Sequence, residues 1–432
     1  MNARQAALEI VSNVLKNKSY LNLESKRVLS ANWSAEDKRF ITALANTTIE
    51  NLFRIDYVLK QFITAKRVHA VIMNILRIGA CQLLFFESVP ASAAVNESVK
   101  LVEKVGKRQL KGFVNATLRN LSKNLGKISY PDRETDLAEF LHIFYSYPKW
   151  LCEKYLAEYG EQQTEQMLSF SNDHSLTCVR KNLLRDMRLL ENFSEGKYVE
   201  DAFYIKNASS IEKMPLFTGG GIAVQGEASM LCVHAAGIGK QDRVLDACAA
   251  PGGKSAYASQ FASGGQIVSM ELYPHRAKLI EETFERLGVA NAQILVQDAS
   301  KDICDYHDGF DVVMVDAPCS ALGLLYRKPD IKILKQKEDI PPLVKTQRAI
   351  LEACASYVKK GGTLLYSTCT IDRAENEDNM EWFLKGHPEF VMDEPGKYLP
   401  EKLSKRLHGG MLQLFPHIDG IDGFFIARLK RI

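Results

Sequence analysis

Apolar residues recur at helical spacing through the first 130 positions of this chain. Leu8, Val11 and Leu15 form one stripe behind Asn2, a residue suited to cap a helix N-terminus. Ser34 with Asp37 three positions on has the form of a capping box, and Phe40, Ile41 and Leu44 follow it. Val71-Ile72 with Ile75-Leu76, and Phe113-Val114 with Thr117-Leu118, continue the pattern. Few β-type alternations and few Gly or Pro residues interrupt it, so 1–130 is predicted to be an all-α bundle. Pro131 closes the run. Helical spacing returns over 137–170, 176–180 reads as a strand and 187–193 as a helix. These segments make a small α+β module over 131–220, ending at the turn Gly219-Gly220-Gly221.

From 221 to 432 the pattern changes. Apolar runs at 243–247, 266–271, 293–296, 310–315 and 363–367 alternate with stretches of ten or more residues of helical character. That alternation predicts βαβ units and a parallel, doubly wound α/β sheet of Rossmann-like form. The final run from Gly423 to Leu429 is expected to be an edge strand. Ligands of such sheets bind off the carboxyl ends of the strands.

Composition narrows the class. At 432 residues the chain is too long for one core, and 46% hydrophobic with 25% charged residues excludes a disordered, collagen-like or coiled-coil protein. The most apolar stretch, 70–86, carries Arg77 and Gln82 and reads as a buried helix, not a membrane span. No apolar leader is visible at the N-terminus. Nine cysteines without a C-x-x-C pair or zinc-ligand spacing point to reduced thiols, a cytoplasmic setting and no metal centre. Charge is uneven: 1–130 holds 20 Lys and Arg against 9 Asp and Glu, or +11, and the remainder 35 against 43, or −8. A basic front end suits a polyanion such as nucleic acid; a solvated helical surface is the equal alternative on charge alone.

The chemistry gathers at predicted strand ends. Asp246 runs into Cys248-Ala249-Ala250-Pro251-Gly252-Gly253-Lys254, a Gly-rich turn opening a helix whose free N–H groups face a ligand. Gly253-Lys254-Ser255 imitates the end of a phosphate loop, but the first glycine of that motif falls on Cys248 and the dinucleotide fingerprint is absent. A nucleoside cofactor without a pyrophosphate fits better. Glu271, closing the second strand, suits ribose hydroxyls, and Asp298, after the third, suits an exocyclic amine. Asp316, with Pro318-Cys319 after it, ends the fourth strand, and Thr368-Cys369 ends the next. Two thiols beside one cofactor site suggest a nucleophile, which needs surroundings that help remove its proton.

The set DACAAPGGK, MEL, VQDA, VDAPCSALG and STCT resembles the S-adenosylmethionine-dependent RNA 5-methylcytosine methyltransferases. Arg4 to Leu8, Ile55-Asp56, Leu76 to Leu84, Val89-Pro90, Ala94 to Glu97 and Gly112 to Ala116 resemble the NusB-like RNA-binding domain, a fusion typical of the RsmB/Sun/Fmu type. The resemblance implies S-adenosyl-L-methionine as cofactor and small-subunit ribosomal RNA as partner, with no membrane and no obligate protein partner. It implies Cys369 as nucleophile, Cys319 in product release, and cofactor contacts from 248–254, Glu271, Asp298 and Asp316. Arg327, Lys328 and Lys332 become candidate RNA-backbone contacts. The chain departs from the family pattern at Gly226, where Asp is usual, and at Glu271, usually Asp. Three other readings stay in view: an RNA 5-methylcytosine methyltransferase of the same family acting on tRNA or another RNA, a P-loop-like ATPase, and an RNA-binding factor whose catalytic domain is only a scaffold.

Overall fold

A computed structural model describes residues 1–170, 176–185, 193–206 and 211–432. The chain divides into two compact units, Met1–Phe170 with Lys328–Lys337, and Ser171–Arg327 with Glu338–Ile432.

The first unit is helical: α1 Ala3–Asn17, α2 Leu21–Leu29, α3 Ala35–Glu50, α4 Leu52–Phe62, α5 Ala70–Phe85, α6 Ala91–Lys104, α7 Lys111–Lys123, α8 Leu137–Phe144 and α9 Lys149–Ser169. Local chemistry starts these helices where the sequence predicts. Asn2 and Gln5 bond reciprocally at the head of α1, and Ser34 accepts from the Asp37 N–H at the head of α3. The apolar stripes then meet in one core, with Ile10, Ile41, Leu44, Ile55, Ile75 and Leu118 fully buried. Residues 131–170, placed from sequence in a middle module, lie in this unit for a physical reason. The Arg54 guanidinium of α4 stacks on Tyr130 and Phe144 at 5.2 and 5.0 Å, and the Phe53 N–H donates to Ser146 Oγ.

The second unit carries two sheets. The smaller is antiparallel, in the order β2 (Phe193–Glu195), β3 (Ala202–Lys206), β1 (Leu176–Lys181), β4 (Ile222–Val224). The helix expected at 187–193 falls outside the described residues up to 192, and Phe193 opens β2. The larger sheet follows α10 (Glu227–Ala236) and holds β5 Arg243–Asp246, β6 Gln266–Glu271, β7 Ala292–Val296, β8 Phe310–Asp316, β9 Val358–Thr368, β10 Phe390–Met392, β11 Met411–Leu414 and β12 Phe424–Arg431. Helices α11 Gly253–Phe261, α12 Pro274–Leu287, α13 Ile340–Ala355 and α14 Glu377–Gly386 connect its strands. Its order is β10-β12-β9-β8-β5-β6-β7, parallel from β9 to β7, with β11 also on β12. The apolar positions of β5 and β8 are all buried, as a sheet covered on both faces requires. This is the Rossmann-like α/β domain the alternation predicts.

One expectation changes. The last strand is not an edge: β12 pairs with β9 on one side and with β10 and β11 on the other. The two covering strands have three and four residues, too short to announce themselves in the sequence.

Candidate active site

β8 and β9 lie side by side and parallel, with Asp316 in register with Ser367. Both therefore end at the same edge of the sheet. The loop after β8 carries Cys319, the loop after β9 carries Cys369, and their Sγ atoms stand 3.2 Å apart. Both thiols are partly exposed. The Cys319 thiol is held well above its ordinary range, first by the hydrogen it shares with Cys369, then by burial, with the Glu375 carboxylate adding to both. Two adjacent thiolates would repel, which opposes the loss of a proton from Cys319.

Beside the thiols, Lys254 Nζ meets Asp316 Oδ2 at 2.6 Å. Burial works against the Lys254 charge, but Asp316 outweighs it and keeps the ammonium above its usual range. Asp316 Oδ1 accepts from the Ser367 hydroxyl at 2.9 Å. Asp316 thus faces a fixed cation with one oxygen and a fixed hydroxyl with the other.

The Gly-rich turn lies at the end of β5. Gly252 has φ +97°, a left-handed backbone that a side chain strains, and a Cβ there would press on the Ile280 backbone at 3.3 Å. Asp246 Oδ2 accepts from Ser255 Oγ at 2.6 Å, while its Oδ1 is buried with no hydrogen-bond partner among the described residues. Burial raises the Asp246 carboxyl to about 6. Glu271 ends β6, is 3% exposed, and takes the Tyr273 N–H at 3.1 Å, with Arg276 3.5 Å away. Asp298 follows β7, half-buried, and is held below its usual range mainly by the Ser300 hydroxyl. Asp246, Glu271 and Asp298 so lie along the carboxyl edge of three neighbouring parallel strands.

Residues 237–430 match the family model described as 16S rRNA methyltransferase RsmB/F, and residues 1–123 match the NusB family. The chain is 35% identical to a Bacillus subtilis (strain 168) protein named "Probable ribosomal RNA small subunit methyltransferase B", over 99% of this chain and 98% of that one. This chain belongs to the ribosomal RNA small subunit methyltransferase B family. A Pseudomonas putida protein of that name is 31% identical across 100% of this chain and 99% of its own. The crystal structure of PH0851 has the same fold, with TM-score 0.82 and 24% identity, covering 99% of this chain and 98% of that one. The chain is a methyltransferase of this family, with a NusB-like helical region ahead of the catalytic domain.

Within this methyltransferase the three basic RNA candidates part company. Lys328 is exposed. Arg327 Nη1 pairs with both oxygens of Asp422, at 3.1 and 3.0 Å, while the Tyr326 hydroxyl donates to the same carboxylate. Gly226 leaves room for it: Asp422 Oδ2 lies 2.6 Å from where a Cβ would stand. Lys332, expected to meet the RNA backbone, is buried instead. It is 4% exposed, in the helical unit, with Nζ 3.6 Å from the Tyr147 ring centre, and a buried ammonium cannot meet a phosphate. Other residues at the site carry no local motif: Ser320, Gln347, Thr370, Glu375 and Asn379 form a buried network under the two thiols. The only hint in the sequence is that a hydroxyl residue follows each cysteine.

Proposed function

We propose that the chain transfers a methyl group from S-adenosylmethionine to carbon 5 of a cytosine in small-subunit (16S) ribosomal RNA, through a covalent bond between Cys369 Sγ and carbon 6. The observation that carries this reading is the pair of thiols, 3.2 Å apart, next to the Lys254–Asp316 ion pair at the sheet's carboxyl edge. The names of the relatives support the RNA, and the charge of +11 over 1–130 supports a helical region that contributes affinity for its backbone.

The cofactor suits the residues present. Asp246 offers a buried oxygen with no partner among the described residues, and Glu271 and Asp298 add acceptors for the hydroxyls and amine of an adenosine. Residues 248–254 and Asp316 complete the cradle. S-adenosylmethionine, when bound there, supplies an electrophilic methyl on a positively charged sulfur.

Carbon 5 of cytosine is a poor nucleophile. Bonding of the Cys369 thiolate to carbon 6 pushes the ring's electrons onto carbon 5, which then takes the methyl. Transfer of the carbon 5 proton to water sends those electrons back and expels Cys369 as thiolate, which balances the charge. The ring face must be open to the thiol, so the base is unpaired or flipped out. Cys319, kept as a thiol by its surroundings, is the wrong species to attack and assists release. The Asp316 carboxylate, fixed by Lys254 and Ser367, suits the cytosine amino group or the cofactor.

Cys369→Ala should lower methylation at least about 1,000-fold and form no adduct. Cys319→Ala should trap RNA on the protein through denaturing electrophoresis. An adduct in Cys369→Ala but not in Cys319→Ala reverses the roles. Methylation of a nitrogen, read by mass spectrometry of digested RNA, sinks the cysteine mechanism; bisulfite sequencing identifies the RNA and the base.

A further inference from the structure

Each thiol is followed by a hydroxyl residue, and those two hydroxyls meet. Ser320 Oγ and Thr370 Oγ1 are 2.9 Å apart. Ser320 in turn bonds Glu375, a fully buried residue just before α14, so Thr370 reaches it through Ser320. The Glu375 carboxylate accepts the Ser320 N–H at 2.9 Å, the Ser320 hydroxyl, and the Gln347 side-chain amide at 2.9 Å. Since Ser320 donates its proton to Glu375, the Thr370 hydroxyl donates to Ser320. Gln347 also donates to the Pro318 carbonyl at 2.9 Å, and its own oxygen is held by Asn379 at 2.8 Å. Cys319 is therefore bracketed: the residue before it hangs on Gln347, the residue after it on Glu375. Asn376, next to Glu375, donates to the Thr370 carbonyl at 3.1 Å, which pins the residue after Cys369.

A structural clamp has no need of charge. A neutral amide would bridge the same loops without the cost of burying a carboxylate, which here pushes Glu375 above the usual carboxylate range. The charge has a near neighbour: the carboxylate holds the N–H and the hydroxyl of Ser320, directly after Cys319, where it adds to the opposition to a negative charge on that thiol.

We propose that Glu375 is a positioning residue for methyl transfer, locking the Cys319 loop to the Cys369 loop and holding negative charge on the Cys319 side so that Cys369 is the thiol that attacks. The inference rests on the cysteine reading above. It adds a reason, outside the two motifs, why adjacent and chemically identical groups take different parts.

Glu375→Gln keeps the shape and removes the charge. In the full-length protein it should lower kcat about 30-fold, leave KM for RNA within about threefold, and leave the affinity for S-adenosylhomocysteine within about twofold by calorimetry. Iodoacetamide labelling followed by mass spectrometry gives a readout that a purely structural residue would not move. The pH midpoint of Cys319 labelling should fall by about half a unit or more in Glu375→Gln. On a Cys319→Ala background the charge has lost its target, so the same change should leave the rate of adduct formation within about threefold. An unmoved labelling midpoint, a kcat within about threefold of wild type, or a kcat loss matched by an equal loss of cofactor binding overturns the proposal. If Glu375→Gln does not fold, Ser320→Ala carries the test. It cuts the hydroxyl link but keeps the backbone bond, and should cost about 5-fold in kcat; no loss overturns the clamp. If Cys319→Ala alone forms no adduct, the cysteine reading fails and takes this role with it. If that adduct forms and Glu375→Gln slows it by the full factor seen in kcat, the charge acts elsewhere than on Cys319 and only the role of Glu375 fails.

Discussion

Asp246 bears a cost of burial that Ser255 and Lys254 offset only in part. One oxygen is bonded to Ser255, and the other is buried with no partner among the described residues. A carboxyl raised from 3.8 to about 6 by burial binds a proton in the folded state between those values, where the unfolded chain has lost it. Stability therefore falls as pH rises through about 4 to 6, by roughly 3 kcal/mol at most at 1.36 kcal/mol per unit. Asp246→Asn should remove that slope and raise Tm at pH 7.5 by a few degrees without ligand. The same variant should bind S-adenosylhomocysteine at least about tenfold more weakly, so that its ligand-induced rise in Tm shrinks. Thermal unfolding at pH 4.5, 6 and 7.5, with and without the ligand, checks both. An Asn variant less stable at pH 7.5, with ligand binding intact, would make Asp246 part of the scaffold instead.

At the level of elements, the Cys369 loop is kept in place by the absence of a side chain. Gly323 sits in the short turn Leu322–Leu324, donates its N–H to the Cys369 carbonyl at 3.0 Å, and accepts from the Gly423 N–H at the head of β12 at 3.0 Å. A Cβ there would lie 2.1 Å from the Gly423 carbonyl oxygen and 2.8 Å from that of Cys369. These are backbone atoms and cannot swing aside. Gly323→Ala should destabilise the domain by about 1–3 kcal/mol and displace the loop enough to cost on the order of 100-fold in methylation, with cofactor affinity kept. Equal activity in the Ala variant would show that the loop has freedom the packing denies. The same elements explain what the sequence reveals. The Gly-rich turn and both cysteines follow strand ends directly, so a local pattern exposes them. Glu375 reaches Ser320 across 55 positions and Gln347 across 28, and neither leaves a local trace. β9 runs Val358–Thr368 although only 363–367 reads as a strand. Gly361-Gly362 signals a turn, and the structure absorbs it as an irregularity between Phe310 and Val312 on β8.

On the scale of the whole molecule, the chain passes between its two units more than once. After the Cys319 loop it leaves the sheet unit at Arg327, contributes Lys328–Lys337 to the helical unit, and returns at Glu338. Within the helical unit this segment is held by Asp330, whose Oδ2 accepts from the Leu21 N–H at 3.1 Å, and by Lys332 against Tyr147. A basic loop read from sequence as an RNA contact is here partly an anchor, because an aromatic ring and a core were waiting for it. Burial lowers the Lys332 ammonium from 10.5 to about 8, with Glu50 opposing the shift. Between those values the unfolded chain holds the proton and the folded chain does not, so stability rises with pH across that window. The charged form below pH 8 costs roughly 3 kcal/mol before the Tyr147 ring returns a part of it. Lys332→Met keeps the volume and removes the charge. The chain has three tryptophans, and in a Trp382→Phe background the other two, Trp33 and Trp150, both report on the helical unit. Urea unfolding followed by their fluorescence should find the Met variant at least as stable as its parent at pH 7.5. The advantage of Met over Lys should then shrink by about 2–3 kcal/mol between pH 8 and 10.5, as the parent loses its buried charge. Parallel stability curves over that range would mean that Lys332 keeps its proton in the folded state, with the Tyr147 ring and Glu50 strong enough to hold it.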